Sequence, residues 1–215
     1  MPRTPSQDRS RARVERILRA AAELLAETEA EKITARTLAT RSGVSVGTIY
    51  QFFADVDAVR QGVAERTRDE LQKVLDTEFT AELARASPGA FFTHLIDVIG
   101  DLQRRHPHIG CMVKPDHADG FRGAFASELR DYVAAHIHDA FSRAFVGLSK
   151  RALASRLKVI IAALLGALGA TPPRQDPSRA EHLRQTKELI AHYANAAFVL
   201  NEQTGSISER AKRRQ

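Results

Sequence analysis

Apolar residues recur at helical spacing along almost the whole chain, and this pattern predicts an all-α protein. No segment alternates strictly between apolar and polar residues, so no β-strand is expected. The predicted helices run over residues 10–28, 34–43, 45–53, 55–79, 88–105, 121–145, 149–170 and 178–203.

Two short predicted helices meet at a glycine. The hydroxyl of Thr34 is expected to cap the first helix, and Gly43 can end it with a positive φ at no Cβ penalty. Ser45 is expected to cap the second helix, with Val44 and Ile49 as buried anchors. This is the layout of a helix-turn-helix, whose second helix enters the DNA major groove. An ordinary αα-hairpin has the same spacing and stays an alternative.

Composition narrows the class of protein. The chain has 215 residues, 6% aromatics and no tryptophan, which argues against a β-sandwich or barrel. Its single cysteine excludes an intramolecular disulfide framework and fits a reducing compartment. No apolar segment of a secretory signal is present, and the longest apolar run, residues 159–170, is too short to span about 30 Å of bilayer. A cytoplasmic protein without a membrane partner is expected.

Positive charge is concentrated at the two ends of the chain. The formal net charge is +6, six arginines lie within the first 19 residues, and four basic residues lie within 210–214. Such a distribution suits an anionic partner, of which nucleic acid is one class.

The segment TARTLATRSGVSVGTIYQFF, residues 34–53, resembles the DNA-binding domain of the TetR family of bacterial transcriptional regulators. The family pattern is matched at Thr34, Leu38-Ala39, Ser42 to Ser45, Gly47 to Tyr50, and Phe53. The resemblance extends over about residues 10–60. It implies a helix-turn-helix domain followed by a helical domain that binds an effector and dimerises. We therefore expect a flexible basic arm at 1–9, a DNA-binding domain at 10–56, an effector and dimerisation domain at 57–204, and a disordered basic tail at 205–215.

The resemblance also implies roles for individual residues. It implies phosphate contacts for Thr34, Thr48 and Tyr50, although Tyr50 also fits a core aromatic. It implies a base contact for Arg36, since arginine can bind guanine O6 and N7 together. The positions that would face the groove are Ser45, Val46, Gly47 and Gln51.

Two positions depart from the family pattern. Phe52 stands where the family often has a phosphate-binding His or Tyr, and Val56 stands where it usually has Lys. We expect arginines of the first helix, above all Arg11 and Arg13, to supply phosphate contacts instead. Arg41 is interpreted as a solvated helix residue.

The middle helices carry apolar faces with a few polar interruptions, which is typical of an effector pocket. Their aliphatic residues fit an ordinary core equally well. No Arg or Lys lies between Pro88 and Arg104, so a largely apolar, flat or elongated effector with one or two polar groups is expected. The candidate effector contacts are Phe91, His94, Leu95, Val98, Cys111, Met112, Phe121, Phe125, Tyr132 and His136.

The sequence shows no pattern for a metal, a cofactor or catalysis. His106 and His108 flank a proline, and His136 and His138 are two apart on a helix, so they point to different faces. No nucleophile elbow, P-loop or G-x-G-x-x-G motif occurs. No cofactor, metal or enzymatic activity is expected.

The last two helices are expected to form a homodimer interface. Apolar residues spread widely around the helix at 149–170, and small residues on it allow a second helix to approach closely. The alternative is a core helix of a monomer. The candidate interface residues are Leu153, Leu157, Ile161, Leu164, Leu168, Ile190, Ala194 and Ala197.

Together these features favour a homodimeric transcriptional regulator, a repressor that a small lipophilic or aromatic effector releases from a palindromic operator. A two-fold dimer would place its two recognition helices in two half-sites of the operator. An activating or constitutive DNA-binding protein without an effector is an alternative. A helical enzyme or an adaptor is a more distant one.

Overall fold

A computed structural model describes the backbone of residues 5–112 and 120–212, and the side chains of 8–110, 120–121 and 123–198. The described backbone is helical without strands, which confirms the all-α prediction. Two 3₁₀ turns, Ala30–Lys32 and Pro107–Met112, lie between helices. The helices are α1 (Pro5–Glu27), α2 (Ala35–Ser42), α3 (Val46–Phe52), α4 (Val56–Glu78), α5 (Ala81–Ala86), α6 (Pro88–Arg105), α7 (Gly120–Ala144), α8 (Lys150–Gly169) and α9 (Arg179–Lys212).

Both predicted chain ends are more helical than expected. Helix α1 begins at Pro5 rather than Ser10, because proline is favourable in a first helical turn and Asp8 complements the helix dipole there. Helix α9 continues to Lys212, through most of the tail that was predicted to be disordered. No proline interrupts residues 205–212, and Glu, Arg, Ala and Lys all favour a helix. The short helix α5, capped by Thr80, was not predicted at all.

The chain divides into two compact units. The first comprises residues 1–73 and 101–130, and the second comprises 74–100 and 131–215. This division does not follow the predicted domain boundary after residue 56, because α4 begins at Val56 and its residues up to 73 belong to the first unit. The boundary at residue 56, between the part that binds DNA and the part that binds an effector, stays a prediction.

The core of the first unit holds the helix-turn-helix against α1 and α4. Ile17 of α1, Leu38 of α2, Ile49 of α3 and Val59 of α4 are all completely buried in one cluster. Val44, between α2 and α3, packs against the same cluster. One apolar residue from each of the four helices thus holds α3 against α1, α2 and α4. Burial of this kind contributes about 1.5–3 kcal/mol per large side chain.

The core of the second unit is aromatic. Phe91 meets Phe79 at 5.2 Å and Phe141 at 5.1 Å in edge-to-face geometry, and Phe141 meets Phe198 of α9 at 4.7 Å. These separations lie in the range favoured by aromatic pairs. The pairs join α6, α7 and α9 in one cluster.

Helix α8 is the most apolar element. Within the described chain it is the one helix long and apolar enough to cross a membrane by length and composition alone. The helix is longer than the uncharged run at 159–170, since it begins at Lys150. Its first half contains cations, among them Arg156 and Lys158. Its buried stripe, including Leu157, Ile160 and Leu164, packs in the second unit, where α8 lies against α9.

Candidate nucleic-acid interface

Helix α2 is bounded by local interactions. The Thr37 amide donates to Thr34 Oγ1 at 3.2 Å, and the Thr34 amide donates to Thr37 Oγ1 at 2.9 Å. This reciprocal capping box satisfies two amides at the helix start. At the other end Gly43 has a φ of 67°, the left-handed conformation that glycine adopts without strain. The predicted roles of Thr34 in starting this helix and of Gly43 in ending it agree with this geometry.

Helix α3 presents an exposed face opposite its buried anchor. The Thr48 amide donates to Ser45 Oγ at 3.1 Å, which caps the helix as predicted. Ile49 is buried, whereas Val46 is 38% exposed and Tyr50 is 53% exposed. Tyr50 is therefore not a core aromatic. The exposed face of α3, consisting of Ser45, Val46, Gly47, Tyr50 and Gln51, is available to a groove.

The basic residues predicted to contact DNA are exposed. Arg36 lies on the outer face of α2, and Arg11 and Arg13 lie on the outer face of α1. By contrast, Phe52 and Val56 pack against the core of the first unit. These two departures from the family pattern therefore act in packing.

Arg41 is an exposed helix residue, as interpreted from the sequence, and its guanidinium also forms ion pairs with α1. Its guanidinium binds Glu27 through two hydrogen bonds, with Nη1–Oε1 at 3.0 Å and Nη2–Oε2 at 2.6 Å, and contacts Glu23 at 3.5 Å. The Arg41 hydrogen bond and charge lower the pKa of Glu27, and Glu27 raises the pKa of Arg41. No periodicity could reveal this pair, because its residues lie on different helices. It joins α2 to α1.

The candidate effector residues of the second unit pack with one another or with polar partners. Phe91 and Leu95 are buried core residues, and Val98 and Tyr132 are half-buried. His94 Nε2 lies 2.7 Å from Glu78 Oε2, and its ring stacks on Phe79 at 5.0 Å. His136 Nε2 donates to the Phe79 carbonyl at 3.2 Å and lines a cavity of about 450 Å³ with Asp76, Thr80, Glu82 and Arg85 among its neighbours.

The remaining candidate effector residues belong to the first unit. Phe121 stacks on Phe125 at 6.1 Å, and Phe125 stacks on His108 at 6.3 Å. Cys111 and Met112 lie outside the residues whose side chains are described. Neither unit alone therefore brings the whole predicted set together, and the effector contacts stay a prediction.

Histidines of the first unit interact with protein groups. His106 Nε2 lies 2.8 Å from Glu70 Oε2, and His108 Nε2 lies 3.0 Å from Thr67 Oγ1. Partial burial acts to raise the pKa of Glu70, but His106 and Arg105 outweigh it and leave the pKa lowered. Within the described side chains, no three His, Cys, Asp or Glu residues converge as a metal site would require.

Most of the predicted dimer residues face the interior of their own chain. Leu153, Leu157, Leu164 and Leu168 of α8, and Ile190 and Ala194 of α9, are buried, while Ile161 and Ala197 are half-buried. Among the described side chains of α8 and α9, the large apolar residues that are exposed are instead Val159 at 48%, Leu189 at 61% and Tyr193 at 42%. The sequence could not separate the faces, since α8 is apolar around most of its circumference.

The capped helix pair, its buried anchors and the exposed face of α3 define a helix-turn-helix DNA-binding protein. Residues 17–61 match the family model for bacterial regulatory proteins of the tetR family. The matched segment contains α2 and α3, and it is similar to the DNA-binding domain of the TetR family of bacterial transcriptional regulators. No curated protein matches the chain.

Solved structures resemble the chain over most of its length. A tetR-family transcriptional regulator from Streptomyces coelicolor is 17% identical with a TM-score of 0.60, covering 92% of this chain and 87% of that one. A TetR transcriptional regulator from Rhodococcus sp. RHA1 is 18% identical with a TM-score of 0.50, covering 88% and 97%. At these identities the likeness concerns the fold.

Proposed function

We propose that this protein is a homodimeric repressor that binds a palindromic operator and leaves it when a small lipophilic or aromatic effector binds. The observation that carries the proposal is the exposed face of α3, which Ser45 caps and Ile49 anchors. A rigid helix with outward Val46, Tyr50 and Gln51 suits insertion into a major groove. Arg36, exposed on α2, supplies a cation for the same DNA contact.

The exposed apolar surface of the last two helices supports the dimer. Leu189 and Tyr193 lie one helical turn apart on α9, and Val159 is exposed on α8. Exposed apolar residues of this kind support a contact with a second copy of the chain if they form one patch. A two-fold axis through it would present two α3 helices to one side of a duplex, inside the cytoplasm.

The effector response rests on two states of the dimer with different affinities for DNA. An effector that prefers the free protein releases DNA, and DNA must weaken effector binding by the same factor. Half-buried His94 and His136 lie beside the aromatic core of the second unit. They provide polar groups for such a molecule, provided that it replaces their contacts with Glu78 and Phe79.

DNase footprinting of the regions that flank the gene tests the proposal. The expected result is protection of two half-sites about one helical turn apart, or a multiple of it. Lipophilic aromatic compounds should abolish the protection, and His94→Ala and His136→Ala should change the concentration required. Protection that no compound relieves would favour a regulator without an effector. Absence of any specific protection would refute the proposed function.

A further inference from the structure

A cavity of about 590 Å³ lies within the first unit, among α1, α4 and the 3₁₀ turn Pro107–Met112. The 3₁₀ turn packs along α1, so the cavity borders a helix that also supports the helix-turn-helix. Its walls include the apolar side chains of Leu18, Ala22, Ala26, Val63 and Pro107. None of the effector residues predicted from the sequence lines it. The volume lies in the range of small-molecule sites, about 300–1,000 Å³.

A buried polar pair contributes to one wall. Thr67 and His108 are 6% and 4% exposed, and both line the cavity. The Thr67 hydroxyl donates its single proton to the Val63 carbonyl at 2.8 Å, so at 3.0 Å it must accept from His108 Nε2. The pair fixes the imidazole in place, and the turn presents a rigid wall.

Among the described side chains, ion pairs involve the other charged residues at the mouth of the cavity, but not Arg19. Glu70 is paired with Arg105 and His106, and Arg66 is paired with Glu15. Glu23 and Glu27 both face Arg41. Arg19 also lines the cavity, is exposed, and has no ion pair with any side chain that the structure describes.

We propose that this cavity binds a small organic anion with an apolar body. The body packs against the apolar walls formed by α1 and α4, and the anionic group pairs with Arg19. Glu23 and Glu27 line the same cavity and hold Arg41 of α2. Occupancy therefore shifts the contacts that join α2 to α1 and changes DNA affinity, a consequence that rests on the proposed function.

Two fluorescent probes separate the anionic group from the apolar body. The probe 8-anilinonaphthalene-1-sulfonate carries one sulfonate, and N-phenyl-1-naphthylamine has the same rings without the charge. Titration of the full chain should show saturable binding of the sulfonate. Arg19→Gln should weaken it about two- to fivefold, the scale of an exposed ion pair, and leave the neutral probe unchanged. The matched control is Arg16→Gln, an exposed arginine on α1 that does not line the cavity.

Substitutions that fill the cavity test whether the two probes bind there. Ala26→Phe should weaken both probes by more than about tenfold, while Val146→Gln, at an exposed apolar residue between α7 and α8, should leave cavity binding unchanged. Ala22→Leu serves if circular dichroism shows that Ala26→Phe does not fold. Unchanged binding in a folded, filled variant would overturn the cavity, and equal effects of Arg19→Gln and Arg16→Gln would overturn the anion.

The coupling to DNA is measured separately. A duplex carrying the footprinted region should weaken sulfonate binding by the factor by which the sulfonate weakens DNA binding. Cavity-dependent probe binding that DNA does not alter would overturn the coupling alone. A chain that binds the probe as expected but no specific DNA would contradict the proposed function and leave the cavity assignment standing.

Discussion

Arg41 and Glu27 face each other in a two-bond ion pair, with Nη1–Oε1 at 3.0 Å and Nη2–Oε2 at 2.6 Å. The pair joins the first helix of the helix-turn-helix to α1, fourteen residues earlier in the chain. Bidentate geometry restrains orientation as well as distance. It therefore adds a polar link to the apolar contacts that hold α2.

Glu27→Gln should reduce stability at neutral pH and leave it unchanged in acid. Arg41 lowers the pKa of Glu27 below its ordinary 4.5 through the hydrogen bond and its charge. A carboxyl with a lowered folded-state pKa stabilises the protein fully above pH 4.5, and this contribution is lost as pH falls through the lowered pKa. The pair is exposed, so we expect a Tm decrease of at most about 4 °C at pH 7.

Thermal melts of wild type and Glu27→Gln, from about pH 7 down to about pH 3, measure the Tm difference between the two proteins. The control is Glu65→Gln, which neutralises an exposed carboxyl on α4. A Tm difference for Glu27→Gln that stays constant as the pH falls would contradict a role for the ionised carboxylate.

Arg36→Ala should weaken operator binding by roughly 1–3 kcal/mol through loss of a base contact. The fold should be retained, because the side chain is exposed on α2. Binding isotherms on operator and random duplexes distinguish the possible contacts. Equal losses on both duplexes would assign Arg36 to phosphate.

Arg11→Ala and Arg13→Ala should weaken binding to all sequences alike. Each lost phosphate contact should reduce the slope of log K against log salt by about 0.9. Titrations between about 50 and 200 mM salt cover a suitable range. Arg174→Ala, an exposed arginine between α8 and α9, is the control. An unchanged slope would remove the two arginines from the interface.

Leu189→Glu should dissociate the dimer without unfolding the chain. Leu189 is 61% exposed, so the new carboxylate remains solvated in the monomer but would be buried in the proposed interface. The dimer dissociation constant should rise by at least about tenfold, since a two-fold interface contains the change twice. Leu164→Glu should instead unfold the protein, because Leu164 is only 3% exposed.

Light scattering and sedimentation measure the dissociation. Val146→Glu provides the matched control, since it adds the same charge at a residue 81% exposed between α7 and α8. If Leu189→Glu and Val146→Glu have the same dimer dissociation constant, this face of α9 is excluded from the interface.

Features that depend on neighbouring residues could be read from the sequence. The helix-turn-helix was predictable because Thr34, Gly43 and Ser45 act within four residues of their own backbone partners. The burial of Ile49 followed from helical spacing. These local rules determined the helical class and the outward face of α3.

Features that depend on how helices pack required the tertiary structure. Arg41 pairs with Glu27 on another helix, and no spacing rule connects the two. Leu164 and Leu189 are both apolar, yet packing of α8 with α9 in the second unit buries one and exposes the other. A helix that is apolar around most of its circumference has no unique inner face until its neighbours are placed. Sequence periodicity thus determined the elements, and packing decided which apolar side chains are available to a partner.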